Sequence, residues 1–267
     1  MKKVGIIAHR GGFLPEGPIP EVMDKYTIPE NTLEAFQRAF QNGWGVETDV
    51  RINQDGSFIL IHDANSNRFS RYPKFKIPTL DDLCQLAEGY TKNGSTPFIA
   101  FQIKRNDNPS SGAEVGRGVA KKIQQYGLKN SILFDATLEE AQILHDEFPW
   151  LNLSVSVGEE NYGPTIYTPD QVFDPEFTRV YSSVWADEWK AQGSMYNEML
   201  FEKLRTMYQG RIAVISPELH YNENHPLSKN LEGLKKLWKE IAGWGIASGI
   251  CSDYPSVLEL TLKSSSQ

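Results

Sequence analysis

An α/β fold closed as one parallel eight-stranded barrel, (β/α)8, is what this sequence predicts, on three observations. Short β-type apolar runs alternate with amphipathic helical stretches along the whole chain. The 267 residues, 40% of them hydrophobic, suit one barrel with a full core, a fold that commonly takes about 250 residues. No internal repeat, low-complexity segment or linker interrupts the alternation, so residues 1–267 read as a single domain. Strands are expected near Val4–Ala8, Gly45–Val50, Phe98–Ile103, Ser131–Phe134, Leu151–Val155, Arg179–Ser183, Arg211–Ile215 and Ser248–Cys251. Helical periodicity marks Leu33–Gln41, Leu80–Leu86, Gly112–Tyr126, Leu138–Glu147, Asn197–Tyr208 and Leu231–Ala242. A hairpin is expected where Val50-Arg51-Ile52 and Phe58–Ile61 flank Asn53-Gln54-Asp55-Gly56, because Asp-Gly favours the tight turn that joins two strands. It would return His62 to the mouth of the barrel. Gly158 to Pro175, rich in Pro, Gly and Tyr, reads as a long lid-like loop offering Tyr162 and Tyr167.

Bulk properties narrow the partners. A net charge of −7 repels nucleic acid and anionic membrane surfaces at long range. The apolar stretch before His9 is too short for a signal-peptide core, and no run approaches the roughly 18 apolar residues that span a bilayer. A soluble, cytoplasmic protein without stable membrane insertion is therefore expected. Cys84 and Cys251 read as free or buried thiols. Oligomeric state leaves no mark in the sequence.

The chemistry lies in two clusters, His9-Arg10-Gly11-Gly12 and Glu47-Thr48-Asp49, followed by His62-Asp63. Cleaving a phosphodiester needs a proton donor and an acceptor on opposite sides of phosphorus, and positive charge for its equatorial oxygens. Two imidazoles, a guanidinium and a carboxylate-bound cation supply those parts. Along a strand the side chains alternate, so Glu47 and Asp49 share the face opposite Val46, Thr48 and Val50. With the less polar face covered by helices, both acids point into the barrel, where two close carboxylates repel unless a proton or cation lies between them. Gln102 and Lys104 repeat the two-residue spacing. In this reading His9, Arg10, Glu47, Asp49, Gln102 and Lys104 all stand at C-terminal strand ends, where barrels of this kind place their function.

Ile7-Ala8-His9-Arg10-Gly11, Pro29-Glu30-Asn31-Thr32 with Ala35-Phe36 and Ala39, Gly45–Val50, Asp55-Gly56, His62-Asp63 and the closing Ser252-Asp253-Tyr254-Pro255 together resemble the glycerophosphodiester phosphodiesterase family. The resemblance implies a (β/α)8 TIM barrel related to bacterial phosphatidylinositol-specific phospholipase C. It implies His9 and His62 as general acid and base, and Glu47 and Asp49 as ligands of a divalent metal, Ca2+ or Mg2+. Two departures stand out. Where the family carries a third metal carboxylate in a Glu-x-Lys pattern, this chain has Gln102 before Lys104, a neutral amide oxygen in place of a charged ligand. Sixteen residues, Phe13 to Ile28, separate the first two motifs where the family has a handful, and they are expected to cover the site.

The expected substrate is a small-molecule diester of glycerol phosphate or a similar polyol phosphate, with His9, His62, Arg10 and Lys104 catalytic. Two alternatives stand beside this reading: a metal-independent lyase releasing a cyclic phosphate, and a catalytically silent barrel binding a phosphoester. Other candidates carry two readings each. Glu218 would replace the carboxylate missing at Gln102, or sit in a surface loop with His220, which would otherwise touch substrate. Trp185, with Asp187, would line the alcohol part of the substrate or simply pack. Glu30 would face the site beside Asn31 as a helix N-cap. His145 and His225 read as surface residues.

Overall fold

A computed structural model describes residues 4–12, 28–64, 74–105, 111–190, 195–220 and 225–264. Eight parallel strands close the barrel: β1 (Gly5–Ala8), β2 (Gly45–Ile52), β4 (Ile99–Ile103), β5 (Ser131–Phe134), β6 (Leu153–Val157), β8 (Ser183–Ala186), β9 (Ile212–Ile215) and β10 (Gly249–Ser252). Closure is made by β1, which pairs with β10 on one side and β2 on the other. The expected hairpin is present: β3 (Phe58–Leu60) runs antiparallel to the end of β2 with Val50 opposite Leu60. A two-residue strand, β7 (Ile166–Tyr167), adds to β6.

Outside the strands pack α1 (Leu33–Gln41), α2 (Leu80–Lys92), α3 (Ser111–Tyr126), α4 (Leu138–Glu147), the short α5 (Pro169–Val172) and α6 (Pro175–Val180), α7 (Glu198–Met207), α8 (Leu231–Gly243) and α9 (Pro255–Lys263). Their starts follow from local chemistry. Thr79 and Thr137 each accept from a backbone N–H three residues on, and Asp82 and Glu140 bond back to the cap. Such reciprocal caps satisfy two of the donors that a helix start leaves unpaired.

The strand alternation sorts the core into two layers. Val46, Val50, Phe101 and Leu133 face outward into the layer shared with the helices. Ile7, Ala100, Ile132, Phe134, Trp185, Ala213 and Cys251 form a smaller cluster of their own on the opposite face. Glu47 and Asp49 pair in register with Ala100 and Gln102, which puts both acids on the inner face, as the alternation predicts.

Two expectations are corrected. The strand expected at Arg179–Ser183 begins at Ser183, because Asp174 caps and Pro175 starts a helix that runs to Val180. The stretch from Gly158 to Pro175 is no open loop but holds β7 and α5. The hydroxyl oxygen of Tyr167 there accepts the backbone N–H of Leu138 at 2.9 Å, which ties it to the start of α4. Of the insertion from Phe13 to Ile28, only Ile28 falls among the described residues.

Candidate active site

The chain leaves β1 through a tight turn, His9–Gly11, in which Arg10 adopts the left-handed conformation at φ 49°. Gly11, at φ 89°, lies so close to α1 that a Cβ would meet that of Ala35 at 2.7 Å. Glycine is required there on both counts. The turn aims the two side chains differently: His9 Nδ1 meets Asp253 Oδ1 at 2.6 Å, while Arg10 reaches Glu30 at 3.0 Å and, through Nε, Asp49 at 3.2 Å. The Arg10 backbone N–H donates to Glu47 Oε2 at 3.2 Å, and His9 Nε2 lies 3.8 Å from the same oxygen.

Asp49 is the hub. Lys104 Nζ stands 3.2 Å from one of its oxygens, and the Asn31 amide donates to the other at 2.8 Å. Asn31 also accepts from Thr48 at 2.8 Å and is itself left-handed, at φ 52°. This corrects its reading as an N-cap: the cap of α1 is Thr32. His62, at the end of the hairpin, pairs Nδ1 with Asp63 at 2.6 Å. Arg51 fixes that hairpin end from below, donating to the carbonyl oxygens of His62 and Arg105 at 2.7 Å each.

Burial and neighbouring charge set the protonation states. Burial and then Arg10 push His9 down to about 3; burial and then Lys104 push His62 down to about 4. Both imidazoles are neutral near pH 7. Burial followed by the nearby Asp49 lifts Glu47 well above the carboxylate range. Burial would lift Asp49 as well, but Lys104 and Arg10 hold it below that range.

Gln102 donates its amide to Asp135 at 2.6 Å, and Asp135, with φ 63°, also accepts from Ser156 at 2.5 Å. The bond to Asp135 uses the nitrogen end of the amide and leaves the oxygen end of Gln102 as its acceptor. Arg10, Asn31 and Asp135 are the non-glycine residues with positive φ among those described, and all three stand at this cluster. Each such residue costs about 1–3 kcal/mol, which persists where surrounding contacts impose it.

The later candidates separate. Glu218 is fully buried, its oxygens taken by Ser216, by Ser252 at 2.5 Å and by the Asp253 N–H at 3.2 Å. It therefore supports the carboxylate beside His9 and does not take the position left by Gln102. Burial and then Asp253 push it up to about 7, and Asp253 itself rises to about 7 through burial. Trp185 is 1% exposed and stacks on Phe134 at 4.5 Å inside the barrel, so it packs beneath the cluster and offers substrate no open face. Glu30 is buried against Arg10. His220 Nε2 pairs with Asp187 at 2.5 Å, with the Trp189 ring 6.3 Å away. His225 is buried, 3.7 Å from Glu188, and so is no surface residue.

Asn31, Asp135 and Asp253 are the polar residues that sequence reasoning left without a role at the site. Asp135 and Asp253 each follow the last residue of a barrel strand by one. That position is the signal that could have found them.

Whether these residues suit a divalent cation is a matter of donor chemistry. Glu47 and Asp49 are hard oxygen donors on one strand face, and Asp49 Oδ1 accepts no hydrogen bond although Lys104 lies near it. A cation beside both acids would remove the repulsion that lifts Glu47. Among the described residues no three His, Cys, Asp or Glu side chains form a group that could hold a metal ion, so a cation here would have to take its third protein donor from a neutral oxygen such as that of Gln102. The set fits a hard cation in kind, with one charge fewer than three carboxylates would bring.

Fold and site together define a parallel (β/α)8 barrel with two imidazoles, each held by an aspartate, buried carboxylates and two cationic side chains at its C-terminal mouth. Residues 24–160, just over half of the chain, match the glycerophosphoryl diester phosphodiesterase family, and the chain belongs to it. It is similar to a glycerophosphodiester phosphodiesterase of Caldanaerobacter subterraneus subsp. tengcongensis, 36% identical over 89 residues that cover 33% of this chain and 32% of that protein. Glycerophosphodiester phosphodiesterase 1 of Rattus norvegicus is 39% identical over 67 residues, 25% of this chain and 17% of that protein. The matched stretch thus spans a third or less of these relatives. The fold extends further: a glycerophosphodiester phosphodiesterase structure from Parabacteroides distasonis superposes with a TM-score of 0.65 over 100% of both chains at 15% identity. One from Agrobacterium tumefaciens gives 0.59 over 96% and 99% at 18% identity.

Proposed function

We propose that this chain hydrolyses a glycerophosphodiester, or a similar small polyol-phosphate diester, to a phosphomonoester and an alcohol. The observation that carries this reading is the pairing of two imidazoles with carboxylates, His9 with Asp253 and His62 with Asp63, each at 2.6 Å, beside the cations Arg10 and Lys104. A carboxylate on Nδ1 fixes the tautomer and leaves Nε2 for proton transfer. One imidazole takes a proton from the attacking water as the water oxygen forms the new P–O bond, which leaves a phosphomonoester. The other gives a proton to the departing alkoxide oxygen as the old bond breaks. At rest both are neutral, so the donor gains its proton with the substrate, whose negative charge offsets the Arg10 and Lys104 charges that depress both histidines.

Arg10 and Lys104 neutralise the phosphoryl oxygens, and Glu30 and Asp49 hold those cations in place. Glu47 and Asp49, with the Gln102 oxygen, would hold Ca2+ or Mg2+. A cation bound there supplies added positive charge to the phosphoryl oxygens. His220, with Asp187 behind it, faces the alcohol part of the substrate. Acting on a small soluble diester needs neither nucleic acid nor membrane insertion; no described helix is long and apolar enough to cross a membrane. The cytoplasm remains the proposed location.

A second reading is favoured by one observation: Lys104 and Arg10 already lie 3.2 Å from Asp49 and could serve without a metal. That arrangement suits a lyase releasing a cyclic phosphate. Incubating the purified protein with glycerophosphodiesters, with and without chelator, and following the products by phosphorus NMR separates the two. A phosphomonoester lost on chelation supports the first reading. A persistent cyclic product supports the second, and no turnover on any diester would leave a binding barrel.

A further inference from the structure

At the opposite face of the barrel, where the strands begin, lies a cavity of about 430 Å³. Its size falls within the range of small-molecule sites, about 300–1,000 Å³. Residues at strand starts, Gly5, Gly45, Phe98, Asn130 and Arg211, line it together with the aromatic side chains of Phe40, Trp44 and Tyr90. Among the described residues, Arg211 is the sole charged one in that lining. Its guanidinium donates to the Asn130 side-chain oxygen and lies 4.7 Å over the Phe98 ring.

Arg10, Arg105 and Arg117 each face a carboxylate. Arg211 instead has an amide and a ring, and among the described residues no carboxylate pairs with it. Half-buried, it is pushed below the usual arginine range by burial alone. A guanidinium carries five donors in a planar fork matched to carboxylate and phosphate oxygens, and an amide plus a ring leave most of that fork unused. In a chain of net charge −7, a concave site whose described lining holds a cation, aromatic walls and no acid selects for negative charge on an apolar body.

We propose that this cavity binds a small organic anion, its carboxylate or phosphate group on Arg211 and its apolar body against the aromatic wall. The site lies at the strand starts, away from the acid–base cluster, so its occupancy is read by binding and not by turnover. Calorimetric titration of the whole protein with benzoate and with phenyl phosphate, beside neutral benzyl alcohol, tests this and separates the two anion classes. Saturable binding of at least one anion and none of the alcohol is expected. Affinity should fall about 10-fold or more in Arg211→Met, the order expected for a lost charge-assisted contact. Ser95→Phe, a change at an exposed lining residue that fills the cavity and leaves Arg211 in place, should do the same and decides the matter if Arg211→Met does not fold. No binding of either anion, equal binding of the alcohol, or affinity unchanged in whichever variant folds would overturn the proposal; unchanged binding would belong to the catalytic mouth.

Discussion

Two sides of the mouth each hold a histidine against an aspartate, His9 on Asp253 at 2.6 Å and His220 on Asp187 at 2.5 Å, yet their surroundings differ. Around His9 the neighbours are Arg10, Glu47 and Asp49, with Lys104 close enough to act on it, all drawn from β1, β2, β4 and the turns after them. Around His220 they are Trp189 and, beyond it, Tyr162, whose rings lie 5.9 Å apart. On the proposed function, the same kind of dyad would serve two tasks. Concentrated charge suits the phosphoryl group; an aromatic and polar wall suits the alcohol.

The largest effect that would break this contrast is loss of the proton-transfer pair. His9→Ala and His62→Ala should each lower kcat by roughly 10²–10⁴-fold while the fold is retained. Near-normal turnover in either variant removes that histidine from the mechanism. Asp253→Asn should follow, lowering kcat by on the order of 10²-fold, because an amide can stabilise the wrong tautomer of His9. A pH–rate profile identical to that of the native protein would contradict this.

Gln102→Glu sharpens the question of the cation. With a metal between Glu47 and Asp49, a third carboxylate should tighten Ca2+ or Mg2+ binding about 10-fold and raise activity at limiting metal. Without one, the new acid stands beside Asp135 and Asp49 and draws Lys104 and Arg10 away from the phosphoryl oxygens, and activity should fall at every metal concentration. Calorimetric titration of both forms reads the difference. On the opposite wall, Asp187→Asn should raise KM several-fold with kcat nearly unchanged, since a contact made equally in ground and transition states affects binding alone. An equal fall in kcat would place His220 in the chemistry.

The smallest effect concerns stability. His9 and His62 lie below their unfolded value of 6.5, so the stability tied to their neutral form is present above pH 6.5 and is lost as pH falls through about 4 for His62 and about 3 for His9. Glu218 acts in the opposite sense. Raised from 4.5 to about 7, it contributes fully below pH 4.5, and that contribution is lost as pH rises through 7. Glu218→Gln should remove this loss, worth on the order of 3 kcal/mol at most, from the difference in urea stability between pH 5 and pH 8. An unchanged difference would show that Glu218 titrates normally.

Much of the frame was legible in the sequence. Alternation in Gly45–Val50 put Glu47 and Asp49 on the inner face because a strand leaves only two faces, and the Asp-Gly turn returned His62 because such a turn admits little else. What escaped depends on neighbours distant along the chain. Asn31 reads locally as a helix cap; its true place comes from a backbone bond to the Arg10 carbonyl at 2.8 Å that holds it left-handed. Asp135 matters because β5 lies beside β4, which brings it to Gln102 across 33 residues. The start of β8 was misplaced because β-branched and aromatic residues near Arg179 mimic a strand, while Pro175 and the Asp174 cap make a helix.

His9 and Asp253 lie 244 residues apart and meet only where β1 and β10 pair. The histidine precedes its aspartate by nearly the whole barrel, so a chain synthesised only as far as β9 carries an imidazole with no anchor. Closing the sheet into a cylinder and completing the dyad are thus one event. Permuting the chain so that both residues sit on one continuous segment would uncouple them, and would show whether completion of the site depends on the order in which its parts emerge.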